Sequence, residues 1–326
     1  MVKPTVISLF AGCGGSSLGY KYAGFKELLA IEWDDNAVKT FKLNFPNVPI
    51  WQKDIKEITG QEIINSLGIK KGELDLLDGS PPCQGFSTAG KRIVSDGRND
   101  LVNENIRLIE ELEPKVFVIE NVSGMIKGKM KGLFIEYMKR MKSLNYQVKC
   151  KLMNAKYYNV PQSRQRVIFI GVRKDLGIEP SYPEGNKKLI IIREAFKNIN
   201  YKKEDIEEAY NKTPKYIKPF LKKMKDYEVA SKYSNGVRYF NHKRNSIDKP
   251  SRTILKQPNN YHHFEDRLLT RSELKAIATF PKEYKFIGDL LKVYNRIGNS
   301  VPPLFMKAIA EHIRINILEK AVMLNG

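Results

Sequence analysis

At 326 residues, with 42% of them hydrophobic, the chain is long enough for one large domain or two ordinary ones with a sizeable core. Its formal net charge of +20 bears on partners rather than fold, and points either to a polyanion such as nucleic acid or to a lysine-rich proteome. Three widely spaced cysteines, Cys13, Cys83 and Cys150, argue against a disulfide framework and a structural zinc site; no metal is expected. No apolar stretch approaches a membrane span, and Met1-Val2-Lys3-Pro4 lacks a signal peptide's apolar core, so a reduced cytoplasmic setting without membrane contact is expected.

Residues 5 to 175 alternate short β-rich runs with amphipathic stretches. The strand candidates are Thr5–Phe10, Leu28–Glu32, Leu74–Leu77, Val116–Ile119 and Val167–Val172, and the helical stretches include Asn103–Leu112 and Leu133–Leu144. Such alternation predicts an α/β fold around a parallel sheet. Near Pro183 the pattern breaks. From 186 to 266 it is irregular, and Lys and Arg outnumber Asp and Glu nearly two to one. Helical periodicity returns at Thr270, with Glu273 placed for a capping box, and a last helix is predicted from Pro303 to about Glu319. Residues 186–266 thus read as a smaller domain inserted into a larger one built from 1–185 and 267–326.

The first strand runs into Phe10-Ala11-Gly12-Cys13-Gly14-Gly15-Ser16-Ser17-Leu18-Gly19, a Gly-rich turn of the kind that brings a ligand close to a helix N-terminus. Glu32 follows twenty positions after Gly12, where an acid can bind ribose hydroxyls. Ser17 stands where the dinucleotide fingerprint wants glycine, and the Gly-Lys-Ser/Thr of a phosphate loop is absent. Both departures favour a nucleoside ligand without pyrophosphate, such as S-adenosylmethionine. Trp33 could stack on its adenine and Asp54 accept from the amino group; read singly, Trp33 is more often a core residue and Asp54 a turn residue.

Leu74–Asp78 leads into Gly79-Ser80-Pro81-Pro82-Cys83-Gln84-Gly85-Phe86-Ser87, where two prolines fix the backbone before one thiol. A rigidly presented cysteine followed by a Gly-rich polar segment suits a covalent nucleophile beside a closing loop. Three further clusters follow: Glu120-Asn121-Val122, Gln162-Ser163-Arg164-Gln165-Arg166 and Gly298-Asn299-Ser300-Val301-Pro302. In this order and spacing the set resembles the C5-cytosine-specific DNA methyltransferases, over roughly residues 5–173 and 267–320.

The resemblance implies a Rossmann-like, S-adenosylmethionine-dependent domain carrying a target-recognition domain. It implies that Cys83 adds to cytosine C6, making C5 nucleophilic, and that S-adenosylhomocysteine is the product. A free thiol has a pKa of about 8.5, so Cys83 needs an electropositive setting or a proton acceptor. By the same resemblance, Glu120 holds N3 and the exocyclic amine and carries a proton as charge builds on the ring. Arg164 contacts O2, and Arg166 orients the loop or neighbouring acids. The cofactor pocket takes Phe10, Gly12, Gly14 and Leu18 from the first turn, Glu32, Trp33, Asp54 and Ile55 around the adenosine, and Pro82, Leu101, Asn299 and Val301.

A base inside a duplex cannot offer C6 to a thiolate, so the cytosine must be flipped out. The loop from Gln84 to Asn103, with Ser87, Lys91, Arg92 and Arg98, fits one that closes over the flipped base. In the insert, Arg238, Tyr239, Lys243, Arg244 and Arg252 mix cations with aromatics as phosphate and base-edge contacts require. Lysines 202, 203, 222, 223 and 225 read instead as a solvated helix face. The expected partners are double-stranded DNA and a cognate restriction endonuclease on the same site, with the enzyme itself a monomer. A tRNA cytosine methyltransferase shares most of these motifs, and a non-catalytic DNA-binding protein on the same scaffold is the alternative of another class. A dehydrogenase fits least, for want of a hydride-transfer site.

Overall fold

A computed structural model of the chain describes residues 2–81, 100–126, 131–234 and 242–325. Of the expected site residues, Pro82, Cys83, Gln84, Ser87, Lys91, Arg92, Arg98, Arg238 and Tyr239 lie outside the described residues. The chain divides into two compact units. One comprises Met1–Met153, Gln165–Glu184 and Met306–Gly326, and the other Asn154–Arg164 and Gly185–Phe305. The insert was expected to end at 266, but the second unit runs on to Phe305 and also takes in 154–164. Motif spacing could not foresee that, because the helices after 267 carry the same periodicity whichever core they join.

The strands up to the unit boundary are β1 (Thr5–Leu9), β2 (Lys26–Ile31), β3 (Ile50–Trp51), β4 (Leu76–Gly79), β5 (Val116–Val122), β6 (Tyr146–Asn154), β7 (Gln162–Ser163) and β8 (Gln165–Arg173). All but β7 form one seven-stranded sheet in the order β3-β2-β1-β4-β5-β8-β6. The pairs from β3 through β5 are parallel, whereas β8 runs antiparallel to β5 with Phe117 opposite Gly171. Four of the five residues of β1 and all four of β4 are buried, as expected for strands covered on both faces. The predicted strands correspond to β1, β2, β4, β5 and β8. The sequence reading did not identify β3, which has only two residues, or β6, whose Lys149, Lys151 and Leu152 are exposed.

The helices of the same unit up to residue 153, among the described residues, are α1 (Gly15–Tyr22), α2 (Asp35–Asn44), α3 (Gly60–Leu67), α4 (Asp100–Leu112) and α5 (Lys131–Ser143). Ile63, Ile106, Ile109 and Met141 from α3, α4 and α5 share one core with Leu9, Leu77, Phe117 and Phe169 from the sheet. The strand order reverses between β1 and β4, because the chain builds outward to β3 and then returns to the other side of β1. Ligands of open α/β sheets bind outside the carboxyl ends of strands at such a switch point. The Gly-rich turn follows β1, the Cys83 segment follows β4, and Glu120 stands near the end of β5.

The second unit has short helices, among them α6 (Ile192–Phe196), α7 (Lys203–Lys212), α8 (Lys218–Leu221), α9 (Arg271–Ala278) and α10 (Leu290–Asn299). Its only strands among the described residues pair two by two. β7 pairs with β10 (Ser251–Arg252), and β9 (Lys243–Arg244) with β11 (Asn260–Tyr261). The capping box expected at α9 is present in both directions, Thr270 with Glu273. The last predicted helix is α11 (Pro303–Ile313), which continues through a π turn, Arg314–Leu318, into α12 (Glu319–Asn325).

Candidate active site

The turn after β1 bends sharply because Phe10, Gly12 and Gly14 all have positive φ, at 56°, 57° and 88°. Glycine takes this conformation without steric cost, and Gly14 then serves as N-cap of α1. A Cβ on Gly12 would meet, among the described residues, nothing nearer than the Phe10 carbonyl oxygen, 4.0 Å away. Glu32, just past β2, ties the turn down. Its Oε2 accepts from Gly12 N at 2.8 Å, while Oε1 accepts from the amides of Trp33 and Asp34, each at 2.9 Å.

Trp33 is 72% exposed, which removes its reading as a core residue. Asp54 is a turn residue in form, since its carboxylate accepts from Lys56 N at 3.1 Å and caps a 3-10 turn over Ile55–Glu57. Ile55 beneath it is buried, and so is Leu18. Phe10 and Leu101 are partly buried against the sheet core. An exposed indole, an acid fixed at a strand end and a Gly-rich turn together suit a nucleoside without pyrophosphate. Asn299 and Val301 belong to the second unit, where Asn299 is exposed at the end of α10 and Val301 is buried.

Behind the β4 exit lies a buried polar cluster that the sequence reading passed over. Asp78 is almost wholly buried and accepts from the Tyr20 hydroxyl at 3.0 Å. Burial pushes its carboxyl up to about 8; bonds from Tyr20 and Ser16 oppose the shift, and the charges of Glu27 and Glu120 add to it. Glu27 is raised to about 7, again by burial, although it accepts from Ser17 Oγ at 2.8 Å. The signal was available: an acid directly after the apolar pair Leu76–Leu77, on a strand that reads as buried, needs either a partner or a proton.

Glu120 is buried at the end of β5, and Arg166 Nε lies 2.5 Å from its Oε1. Arg166 sits on the antiparallel neighbour β8, directly opposite Val122. The ladder therefore delivers the arginine to the acid. Arg164, two residues earlier, belongs to the second unit and is 2% exposed. Its Nη1 donates to Ile254 O at 3.1 Å and its Nη2 to Gly298 O at 2.8 Å. Gln162 accepts from Ile254 N at 3.2 Å, and Thr253 donates to Ser163 O at 2.6 Å. A Cβ at Gly298 would stand 2.2 Å from the Leu255 carbonyl carbon, so only glycine permits this approach. Half of the Gln-Ser-Arg-Gln-Arg cluster thus braces the second unit, and the other half serves the acid.

The insert divides in the same way. Arg244 was expected to reach DNA, and its placement corrects that. Its buried guanidinium donates to the carbonyls of Leu221 at 2.6 Å and His262 at 3.2 Å and pairs with Asp266 at 2.5 Å. Arg252 lies with its Cζ 3.9 Å from the Tyr227 ring centroid, and Lys249 stands 4.8 Å over the same ring. Lys243 is half-buried, and its ammonium is held down by burial and by the nearby Arg252. Lys202, Lys203, Lys222, Lys223 and Lys225 are all exposed, but of these only Lys203 lies within a helix, so they do not form the single helix face expected.

The profile of the C-5 cytosine-specific DNA methylase family matches residues 4–314. Among curated proteins, the Type II methyltransferase M1.HphI of Haemophilus parahaemolyticus is 33% identical over 95% of this chain and 86% of its own length. Type II methyltransferase M.Eco47II of Escherichia coli is also 33% identical, over 97% of this chain and 80% of its own. Among solved structures, a DNA modification methyltransferase encoded within an E. coli prophage shares the fold with a TM-score of 0.79. It is 23% identical, and the match covers 97% of this chain and all of that one. With the family matched along nearly the whole chain, this protein belongs to the C-5 cytosine-specific DNA methylases and is a DNA cytosine-5-methyltransferase.

Proposed function

We propose that the protein transfers a methyl group from S-adenosylmethionine to C5 of a flipped-out cytosine in a short specific duplex sequence, through a bond between Cys83 and C6. Acting in the cytoplasm, it would protect host DNA against a cognate restriction endonuclease, the role suggested by relatives named as Type II methyltransferases. The observation that carries the reading is Glu120 held by Arg166 at the end of β5, one strand from β4, whose continuation leads to Cys83.

When bound, the cofactor supplies an electrophilic methyl group. Every other requirement falls on the chain. Glu32 and the turn at Phe10–Gly14 would hold ribose and the amino acid portion; Trp33, Asp54 and Ile55 would hold adenine. The Cys83 thiolate adds to C6 while Glu120 protonates N3, so the electron pair of the C5–C6 double bond becomes available at C5. After methylation a water takes the C5 proton, the double bond reforms, the thiolate leaves and N3 returns its proton to Glu120. Arg166, paired with Glu120, would extend to cytosine O2, while Arg164 gives its two Nη atoms to main-chain carbonyls. Residues 186–266, with Lys243 and Arg252, would read the target.

The test is transfer of labelled methyl to unmethylated duplex DNA and to tRNA, with wild type and Cys83→Ala. Label in DNA, lost in Cys83→Ala while DNA binding persists, is expected. Undiminished turnover by Cys83→Ala would remove the covalent route, and label in tRNA alone would replace the substrate.

A further inference from the structure

The adenine side of the proposed pocket is built on very little: Asp54 and Ile55 follow the two-residue strand β3 and head a single 3-10 turn. Such a short turn has little intrinsic stability, since its hydrogen bonds are poorly shaped. What holds it comes from the middle of α4. Arg107 Nη2 donates to both Ile58 O at 2.8 Å and Ile55 O at 3.2 Å. The same guanidinium is fixed from the other side, with Nε on Glu104 at 2.8 Å and Nη1 on Glu111 at 2.8 Å. Glu111 then uses its second oxygen to accept from Gly60 N at 2.5 Å, at the start of α3. A Cβ at Gly60 would lie 2.5 Å from that of Glu111, so the approach is as close as the backbone allows.

One arginine therefore clamps both ends of the 55–58 turn, and its partner acid clamps residue 60. A planar fork with five donors can do this, and a lysine ammonium cannot reproduce it. Asp54 closes the start of the turn locally: its carbonyl takes Glu57 N at 3.0 Å, and its carboxylate takes Lys56 N. Losing Arg107 would leave Ile58 O without this donor and Ile55 O with the long bond from Ile58 N at 3.4 Å, and would set Glu104 against Glu111 on one helix face.

We infer that Arg107 is a positioning residue for the cofactor's adenine subsite, acting through the Asp54–Ile58 turn and not on the DNA or the reacting atoms. This rests on the reading above that Asp54 and Ile55 meet adenine. Cofactor affinity is the property it governs. Chemistry at Cys83 and DNA affinity lie outside its reach.

The experiment is a double-mutant cycle on the full chain with Arg107→Met and Asp54→Ala. S-adenosylmethionine Kd is measured by equilibrium dialysis, with the KM values for cofactor and DNA and kcat measured alongside. Arg107→Met is expected to weaken cofactor binding about tenfold, with kcat and the DNA KM within about twofold of wild type. The double variant should be little worse than the poorer single, because both changes act on one turn. Arg107→Lys, which keeps the charge and so guards against misfolding, should recover part of the affinity. If Asp54→Ala weakens binding and the Arg107 variants do not, the inference is overturned and the adenine reading stands. If Asp54→Ala leaves Kd unchanged, the adenine reading falls and the inference with it. Equal losses in kcat, both KM values and melting temperature would reduce Arg107 to a structural residue and overturn the inference.

Discussion

The two units are held together by different means. In the first, main-chain ladders and an apolar core do most of the work, and charges such as Glu120 and Arg166 meet at strand ends. In the second, strands are two residues long and side chains stand in for ladders. Arg164 and Arg244 donate to main-chain carbonyls, and Arg267, 1% exposed, pairs with the fully buried Glu273. Asn259 and Asn260 do similar work on Thr253 O and Arg252 O. A basic composition is therefore not the same thing as a basic surface. Part of the second unit's positive charge is consumed in closing its own backbone, and only the remainder can meet a phosphate.

That contrast can be broken most forcefully at Glu273. Glu273→Gln leaves the buried Arg267 guanidinium with the partly exposed Glu265 as its remaining countercharge, and a loss of about 3 kcal/mol in denaturant unfolding is expected. A loss below about 1 kcal/mol would mean that buried charge pairs do not hold this unit. Arg244→Met sharpens the point by separating stability from binding. It should cost about 2 kcal/mol of stability, because several carbonyls lose a charged donor. The slope of log affinity for DNA against log salt should stay unchanged, whereas losing a true phosphate contact would lower it by about 0.9.

A pH-dependent effect is expected in the first unit, where a buried acid departs from the apolar rule. With its carboxyl raised to about 8, Asp78 keeps its proton in the folded chain over a range where the unfolded chain has lost it. Its contribution to stability is therefore present in full below the usual carboxylate range and is lost as pH rises toward about 8. Asp78→Asn cannot ionise, so its melting temperature should gain on wild type progressively from pH 5 to pH 8.5. A gain that does not vary with pH would show that Asp78 is not the titrating group.

Most of the first unit was legible because a buried parallel strand writes itself as a short apolar run, and five of the seven sheet strands did so. The remaining two escaped for physical reasons. β3 is too short to show a period, and β6 exposes part of its length, so neither reads as a buried run. Of the candidate site, position was legible: Glu32, Trp33, Asp54, Glu120 and Arg166 stand where a strand end or its turn puts them. Arg164 and Arg244 were misread because sequence shows a charge but not the direction in which a long side chain points.

The amino-acid sequence by itself determined the family and the alternation that makes the sheet. Those features are local, being fixed by spacing and periodicity. Only the tertiary structure decided which arginine serves Glu120, which basic residues are spent inside the second unit, and that Arg107 closes the Asp54 turn from 52 positions away. Each of these depends on where a flexible guanidinium finds unsatisfied carbonyls or carboxylates, and that is set by packing between segments distant in the chain.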